Sequence, residues 1–361
     1  MRRFDRAVLF ETVPIALICV VGLTFLFTAI SLYQIINRLE AAPGAATLMS
    51  FAPTLWVSLL PMTLPISVLL AVALAYGRMR FDRELLLMSA TGLPPWRAFL
   101  PVVWVGAASA VLAFGAASEV GPAAYGRRHQ LLREALADFI ERPSPGAREL
   151  RFPGLDLSYA DARNSRFENL SVVLYDDRGL VASLTAHQAS LTYDRAAREL
   201  VLSNCVKPRV VTYDPVSGKP IGTVLSAERI TNFRRAFDFR SDEEAQSNKA
   251  WNTAMLLSRL GDAGDAHGRA EFVRRLGLGL AGLLLPLLGA LMAALVNHPN
   301  RLFAVAVGAI PGAILYYPLL SLASGLTTSK TLGIEALALP VGASLVAITV
   351  LLVRYSRGAR T

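Results

Sequence analysis

The 361-residue chain is 53% hydrophobic and only 17% charged, and its mean hydropathy of +0.44 excludes an ordinary soluble domain. Its net charge of +9 does not point to nucleic acid, because residues 119 to 275 hold 23 basic and 21 acidic side chains and most of the surplus flanks apolar runs.

Three uncharged runs come first: Thr12 to Asn37, Ala41 to Gly77 and Ala98 to Ser118. Three more follow residue 275: Leu276 to Asn297, Leu302 to Ser329 and Ala336 to Val353. At about 1.5 Å per helical residue each can cross a hydrocarbon core of roughly 30 Å. The spans are drawn at 13 to 36, 52 to 76, 98 to 120, 273 to 296, 303 to 323 and 335 to 354. The first run, 26 residues without a charge, exceeds the roughly 7 to 15 of a signal-peptide core and is expected to be a true span. With the N-terminus inside, eleven arginines (positions 2, 3, 6, 78, 80, 83, 97, 301, 354, 357 and 360) fall on inside segments, against Arg38 and Lys330 in the short outside loops. That asymmetry places both termini in the cytoplasm and the central block outside, in the periplasm if the membrane is a bacterial inner one. Pro61 and Pro65, Pro286, and Pro311 and Pro318 are expected to bend their spans, either for packing or as hinges.

Between Arg148 and Phe233 the pattern shortens to alternating segments at 155–159, 170–175, 180–184, 189–193, 200–202 and 209–213, separated by turn signals at 176–179, 194–198 and 214–218. These predict antiparallel strands in a small sandwich or jelly roll, with an edge open to another chain. Helical stalks are expected at 125–139 and 251–276. Cys19 and Cys205 are assigned to opposite sides of the interface, so no internal disulfide is expected.

The second inside loop, 77–96, carries the most informative segment. Asp82 can cap a helix, Phe81 and Leu86 can form a hydrophobic staple, and Gly92 with Pro94 closes it. The helix, 82–91, combines Arg83 and Glu84 with apolar Leu85, Leu87 and Met88. It reads either as a helix lying on the membrane or as one that docks in a groove of a soluble partner. Gly277-Leu-Gly-Leu-Ala-Gly282 opens an apolar span instead of joining a strand to a helix, so it reads as close helix contact and not as a nucleotide site; Gly308 and Gly312 read likewise. No Walker A, His-Glu-x-x-His, Gly-x-Ser-x-Gly or clustered Cys/His pattern occurs. No catalytic residue, cofactor or metal is expected, and any ATP must be hydrolysed by another chain. The uncharged span interiors disfavour an ion-coupled carrier and suit a lipid tail.

Taken with the six spans and the β block, the segment Arg83-Glu-Leu-Leu-Leu-Met-Ser-Ala-Thr-Gly92 resembles the coupling helix of the LptF/LptG family, the permease subunits of the lipopolysaccharide exporter. Segments 121–130, 229–233 and 296–301 look more F-like than G-like. The resemblance implies a membrane protein of six transmembrane helices, three plus three, with an inserted all-β jellyroll-like periplasmic domain. The implied division is 1–120, 121–250 and 251–361. It also implies an inner-membrane ABC transporter in which a paralogous G-type (or F-type) subunit, two copies of a cytoplasmic ATPase and a single-span periplasmic jellyroll protein act on a lipopolysaccharide-like lipid. Asp82, Arg83, Glu84, Leu85 and Met88 would then meet the ATPase, while Phe25, Phe27, Tyr33, Gln34, Arg38, Tyr316 and Tyr317 would line the lipid cavity and lateral gate. Family members often place a basic residue near the outer end of the first span, where this chain has neutral Gln34 and Asn37 and only Arg38, so a different glycolipid is an open alternative. The competing function is a membrane-anchored scaffold whose jellyroll binds a periplasmic partner without moving lipid.

Overall fold

A computed structural model describes residues 2–39, 45–90, 94–127, 131, 149–152, 155–163, 166–176, 179–194, 199–214, 220–226, 229–236, 251–259, 265–296 and 301–358. The chain divides into two compact units. One comprises Met1–Thr28, Leu55–Tyr125 and Asn248–Thr361, the other Ala29–Thr54 and Gly126–Ser247.

Six helical stretches are long and apolar enough to cross a membrane: Asp5–Gln34, Met49–Phe81, Trp96–Arg127, Ala266–Leu295, Ala306–Thr328 and Ile334–Arg357. Each contains or overlaps the expected span, and most extend it by a turn or more into the flanking charged residues. The elements are α1 (Arg2–Leu39), α2 (Ala45–Phe81), α3 (Glu84–Ala90), a 3-10 turn at Pro95–Phe99 running into α4 (Leu100–Gly115), and a π-helical turn at Ala116–Val120. After the β block come α5 (Thr253–Arg259), α6 (Ala266–Leu295), α7 (Arg301–Thr328) and α8 (Ala338–Gly358). Helical structure runs through Pro61, Pro65, Pro286, Pro311 and Pro318 without a break.

The centre of the helical unit is α6, whose membrane window is 72% buried, against 17% for the first and last spans. Its glycines explain how one helix can have so many neighbours. A Cβ on Gly282 would lie 2.5 Å from the backbone nitrogen of Ala110 and 2.6 Å from its Cα, so α4 and α6 touch backbone to backbone. On the α7 side a Cβ on Gly308 would sit 3.0 Å from the Gly289 carbonyl oxygen. The glycine run therefore serves close helix contact, as its context indicated. Tyr316 on α7, 1% exposed, donates its hydroxyl to the Gly277 carbonyl at 2.6 Å and fastens α7 to the N-terminal half of α6.

The β unit is one antiparallel sheet with nine strands among the described residues, and it is a forked sheet instead of a closed sandwich. Its strands are β1 (Glu149–Phe152), β2 (Leu155–Ser158), β3 (Asp161–Arg163), β4 (Arg166–Asp176), β5 (Gly179–Asp194), β6 (Glu199–Val206), β7 (Arg209–Tyr213), β8 (Pro220–Ser226) and β9 (Arg229–Ala236). The main path runs β1-β2-β4-β5-β6-β9, and its two ends do not pair. The fork arises at one level of the two long strands. β4 holds β3 through Arg166–Glu168 and β2 through Ser171–Leu174; β5 holds β7 through Ala182–Thr185 and β6 through Gln188–Asp194. Between these halves the β4–β5 register passes from Glu168↔Gln188 to Leu170↔Ala186, skipping Asn169 and His187. Asn169 (φ 51) and, on β6, Asn204 (φ 54) adopt the left-handed conformation at this bend, which asparagine tolerates better than most side chains.

The bend shifts the phase of the alternation without changing the buried face. Phe167 pairs Ala189, Leu170 pairs Ala186, and Val172 pairs Leu184, and all six are buried. The segments 180–184 and 189–193, expected as two strands, are thus one strand of sixteen residues.

Candidate functional site: the reversal between α2 and α3

Between α2 and α3 the chain turns within two residues. Asp82 N–H donates to the Arg78 carbonyl at 2.8 Å, which ends α2. Arg83 takes φ 58, and its carbonyl accepts from Leu87 N–H at 3.1 Å, so α3 begins at Glu84. A left-handed arginine costs on the order of 1 kcal/mol, and it persists because α3 is held to the bundle. The holding residue is Leu85, 2% exposed, which shares one core with Val8 of α1, Tyr76 and Met79 of α2 and Tyr355 of α8; Met88 packs against the same core half-buried. Leu85 is therefore an anchor and not part of an exposed apolar face. The outward apolar surface comes from Leu87 (67% exposed), Phe81 and Trp96, with Arg83 exposed and Glu84 half-buried beside them. The helix is seven residues long; the expected end at 91–92 lies outside the described residues.

The support beneath this segment is aromatic and ionic. The Tyr76 and Phe99 rings stack at 5.5 Å, Tyr355 meets Phe99 edge-on at 5.1 Å, and the Tyr76 hydroxyl donates to the Ala98 carbonyl at 2.5 Å. Arg78 Nη2 donates to Glu11 Oε2 at 2.7 Å, tying the end of α2 to α1.

The residues expected at a lipid cavity or gate fall in different settings. Phe25 (66% exposed) and Tyr33 (65%) point outward, as does Gln34, and Phe27 is half-buried. The side chain of Arg38 lies outside the described residues. Tyr316 is buried against α6, while the Tyr317 hydroxyl donates to the Met62 carbonyl on α2 at 3.1 Å. Within the spans α1 and α2 are also joined by a hydrogen bond between the Thr24 and Thr63 hydroxyls, 3.0 Å apart and buried.

A buried charge cluster at the start of α6 went unread in the sequence. Arg274 engages Glu271 with both teeth of its guanidinium fork, at 2.8 and 2.7 Å. Arg275, fully buried, donates to Glu271 Oε1 at 2.9 Å, to the Trp251 carbonyl at 2.7 Å and to the Thr253 hydroxyl at 3.3 Å. Arg259 lies over the Trp251 ring at 4.3 Å. The cluster docks α5 on α6. The Glu271–Arg275 spacing of four residues was its one visible signal.

In the β unit the two faces of the sheet differ sharply. The buried face is apolar, with Leu157, Phe167, Leu170, Leu184 and Leu191. It also carries the Tyr159 hydroxyl, which is buried with no hydrogen-bond partner among the described residues although its ring meets Phe167 edge-on at 5.1 Å. Burial pushes the Tyr159 phenol up from its ordinary value. A concavity of about 680 Å³ on β3–β6 is lined by Asp161, Arg166, Glu168, Gln188, Ser190 and Asn204 together with Phe167 and Ala189, a lining too polar for acyl chains. Cys19 and Cys205 are both free.

A family model described as Lipopolysaccharide export system permease LptF/LptG matches residues 6–355. The chain belongs to the LptF/LptG family. No curated protein matches it. The match spans all six helices and the whole β block, so both units belong to one LptF/LptG permease. It is accordingly a multi-pass inner-membrane protein and a permease component, not itself a catalyst. The α2–α3 reversal falls on the segment that resembled the coupling helix of LptF/LptG proteins.

Proposed function

We propose that this chain is the F-type permease subunit of an ABC transporter that lifts lipopolysaccharide, or a related glycolipid, out of the inner membrane and passes it to a periplasmic jellyroll bridge. The observation that carries this reading is the α2–α3 reversal. A short helix is anchored to the bundle core by Leu85 and presents Arg83, Glu84 and exposed Leu87 on its other side, which is how a membrane protein can offer mixed charge and apolar surface to a soluble motor. Both termini and this helix are cytoplasmic, and the β unit is periplasmic. One of two ATPase copies meets Asp82, Arg83, Glu84 and the outward side of α3, and a G-type subunit completes the lipid cavity, with Phe25, Phe27, Tyr33, Gln34, Arg38 and Tyr317 on or near the path. Acyl chains leaving the membrane lose about 0.8 kcal/mol per exposed CH₂. The β unit receives them and continues into a single-span jellyroll partner. The F-type assignment rests on segments 121–130, 229–233 and 296–301.

The chain is to be purified from native membrane under mild detergent, with partners identified and bound lipids weighed by mass spectrometry. Co-purification of an ATPase together with a lipopolysaccharide-like lipid is the expected result. A periplasmic jellyroll partner without ATPase or lipid would instead make the chain a scaffold. In the reconstituted complex Glu84→Ala should weaken ATPase association and lipid release together; if both persist, Glu84 does not couple.

A further inference from the structure

The fork of Arg78 is only half used. Nε and Nη2 form one edge of a guanidinium and usually take both oxygens of a carboxylate, as Arg274 does with Glu271. In Arg78, whose side chain is 43% exposed, Nη2 takes Glu11 of α1 at 2.7 Å, whereas the Nε atom itself is covered and has no hydrogen-bond partner among the described residues. Burying an unmatched donor on a charged group is costly. A different carboxylate lies at ion-pair distance from that nitrogen: Asp82 Oδ2, at 4.0 Å. Asp82 sits in the reversal itself, next to left-handed Arg83, so a small rotation of α3 moves its carboxylate toward or away from Nε. One guanidinium is thus shared between α1 and the root of α3.

Resting on the function proposed above, we infer that Arg78 is a positioning residue of the transport cycle: when a soluble partner displaces α3, Asp82 closes on Arg78 Nε, competes with Glu11, and frees the inner end of α1. The charge bound by Arg78 is then redistributed between two carboxylates instead of being lost, so neither end state leaves it unpaired. Lysine cannot replace it, because an ammonium is a single point charge and cannot hold two carboxylates along one planar edge.

The test uses the full reconstituted complex in liposomes containing lipopolysaccharide, with ATP hydrolysis and lipid release measured together. Arg78→Gln should assemble and hydrolyse ATP, yet release at least about fivefold less lipid per ATP, the lower end of ordinary allosteric coupling; Arg78→Lys should not restore the ratio. A second readout needs no lipid. Spin labels at Phe10, well exposed, and at Ala90, the last residue of α3, on a background lacking Cys19 and Cys205, report the α1–α3 distance, which nucleotide should change in the parent complex and leave unchanged in Arg78→Gln. An unchanged lipid-to-ATP ratio in Arg78→Gln, a parallel fall of both activities, or full rescue by lysine would overturn the inference. If the parent releases no lipid, the function proposed above fails, and the distance measurement still decides whether Arg78 links α3 to α1.

Discussion

Replacing Gly282 by alanine should destabilise the helical unit, while the same replacement at Gly22 or Gly342 should stabilise it. In a helix the added methyl group is favourable by roughly 0.5–1 kcal/mol, because glycine loses more conformational freedom on ordering. At Gly22 and Gly342 nothing lies within 4 Å of the new Cβ, so that gain stands alone. At Gly282 the new atom meets Ala110 N at 2.5 Å and Ser109 C at 2.8 Å. Both are backbone atoms and cannot rotate aside, so α4 and α6 must separate by the better part of an ångström. Overpacking of this kind costs about 1–3 kcal/mol, which outweighs the helical gain. The two classes should therefore differ by about 2 kcal/mol with opposite sign. Gly289→Ala is intermediate, since there the nearest obstacle is the tip of the Leu69 side chain. Titration of the purified chain with a denaturing detergent, followed by helical circular dichroism, measures the difference. Equal shifts for Gly282→Ala and Gly342→Ala would refute the close α4–α6 contact.

At the charge cluster, Glu271→Gln should cost more than Arg275→Gln, by the same titration. Losing Glu271 removes the one carboxylate that Arg274 and Arg275 share, and breaking a buried pair is worth about 3–5 kcal/mol, whereas losing Arg275 leaves Glu271 held by the Arg274 fork; the reverse order would disprove the arrangement. Tyr159→Phe should be neutral or stabilising near neutral pH, because it deletes a buried hydroxyl that has no partner among the described residues. The raised phenol of Tyr159 stays protonated in the folded chain at pH values where the unfolded one ionises. Its contribution is thus complete below about pH 10 and is lost as pH rises through the folded value. Thermal unfolding followed from pH 8 to 11 should fall less steeply for Tyr159→Phe than for the parent, and identical slopes would place Tyr159 in water.

The six spans and the central β block were legible because they depend on run length and turn chemistry, which survive without knowledge of partners. The glycine run at 277–282 was legible for the same reason: its context excluded a phosphate loop and left helix contact. Strand β5 was misread as two because the bend at Asn169 and His187 shifts the buried positions from Ala186 to Ala189, and a phase slip looks like a strand end. The short strands β1 and β3, four and three residues long, hold too few positions to show an alternation. Leu85 could not be told from Leu87, because Leu85-Leu-Leu-Met88 is apolar all round and a seven-residue helix spans barely two turns. The Arg275 cluster was hidden in a different way. Two arginines before an apolar run read as an interfacial flank, and the Trp251 carbonyl that completes the site lies 24 residues away.

The most direct measurement is ATP-dependent release of lipopolysaccharide from liposomes holding this chain with its paired subunit and ATPase. Export predicts that lipid leaves the bilayer only with hydrolysable ATP and that Glu84→Ala reduces the release. Release that is independent of ATP, or ATP hydrolysis with no lipid leaving, would contradict it.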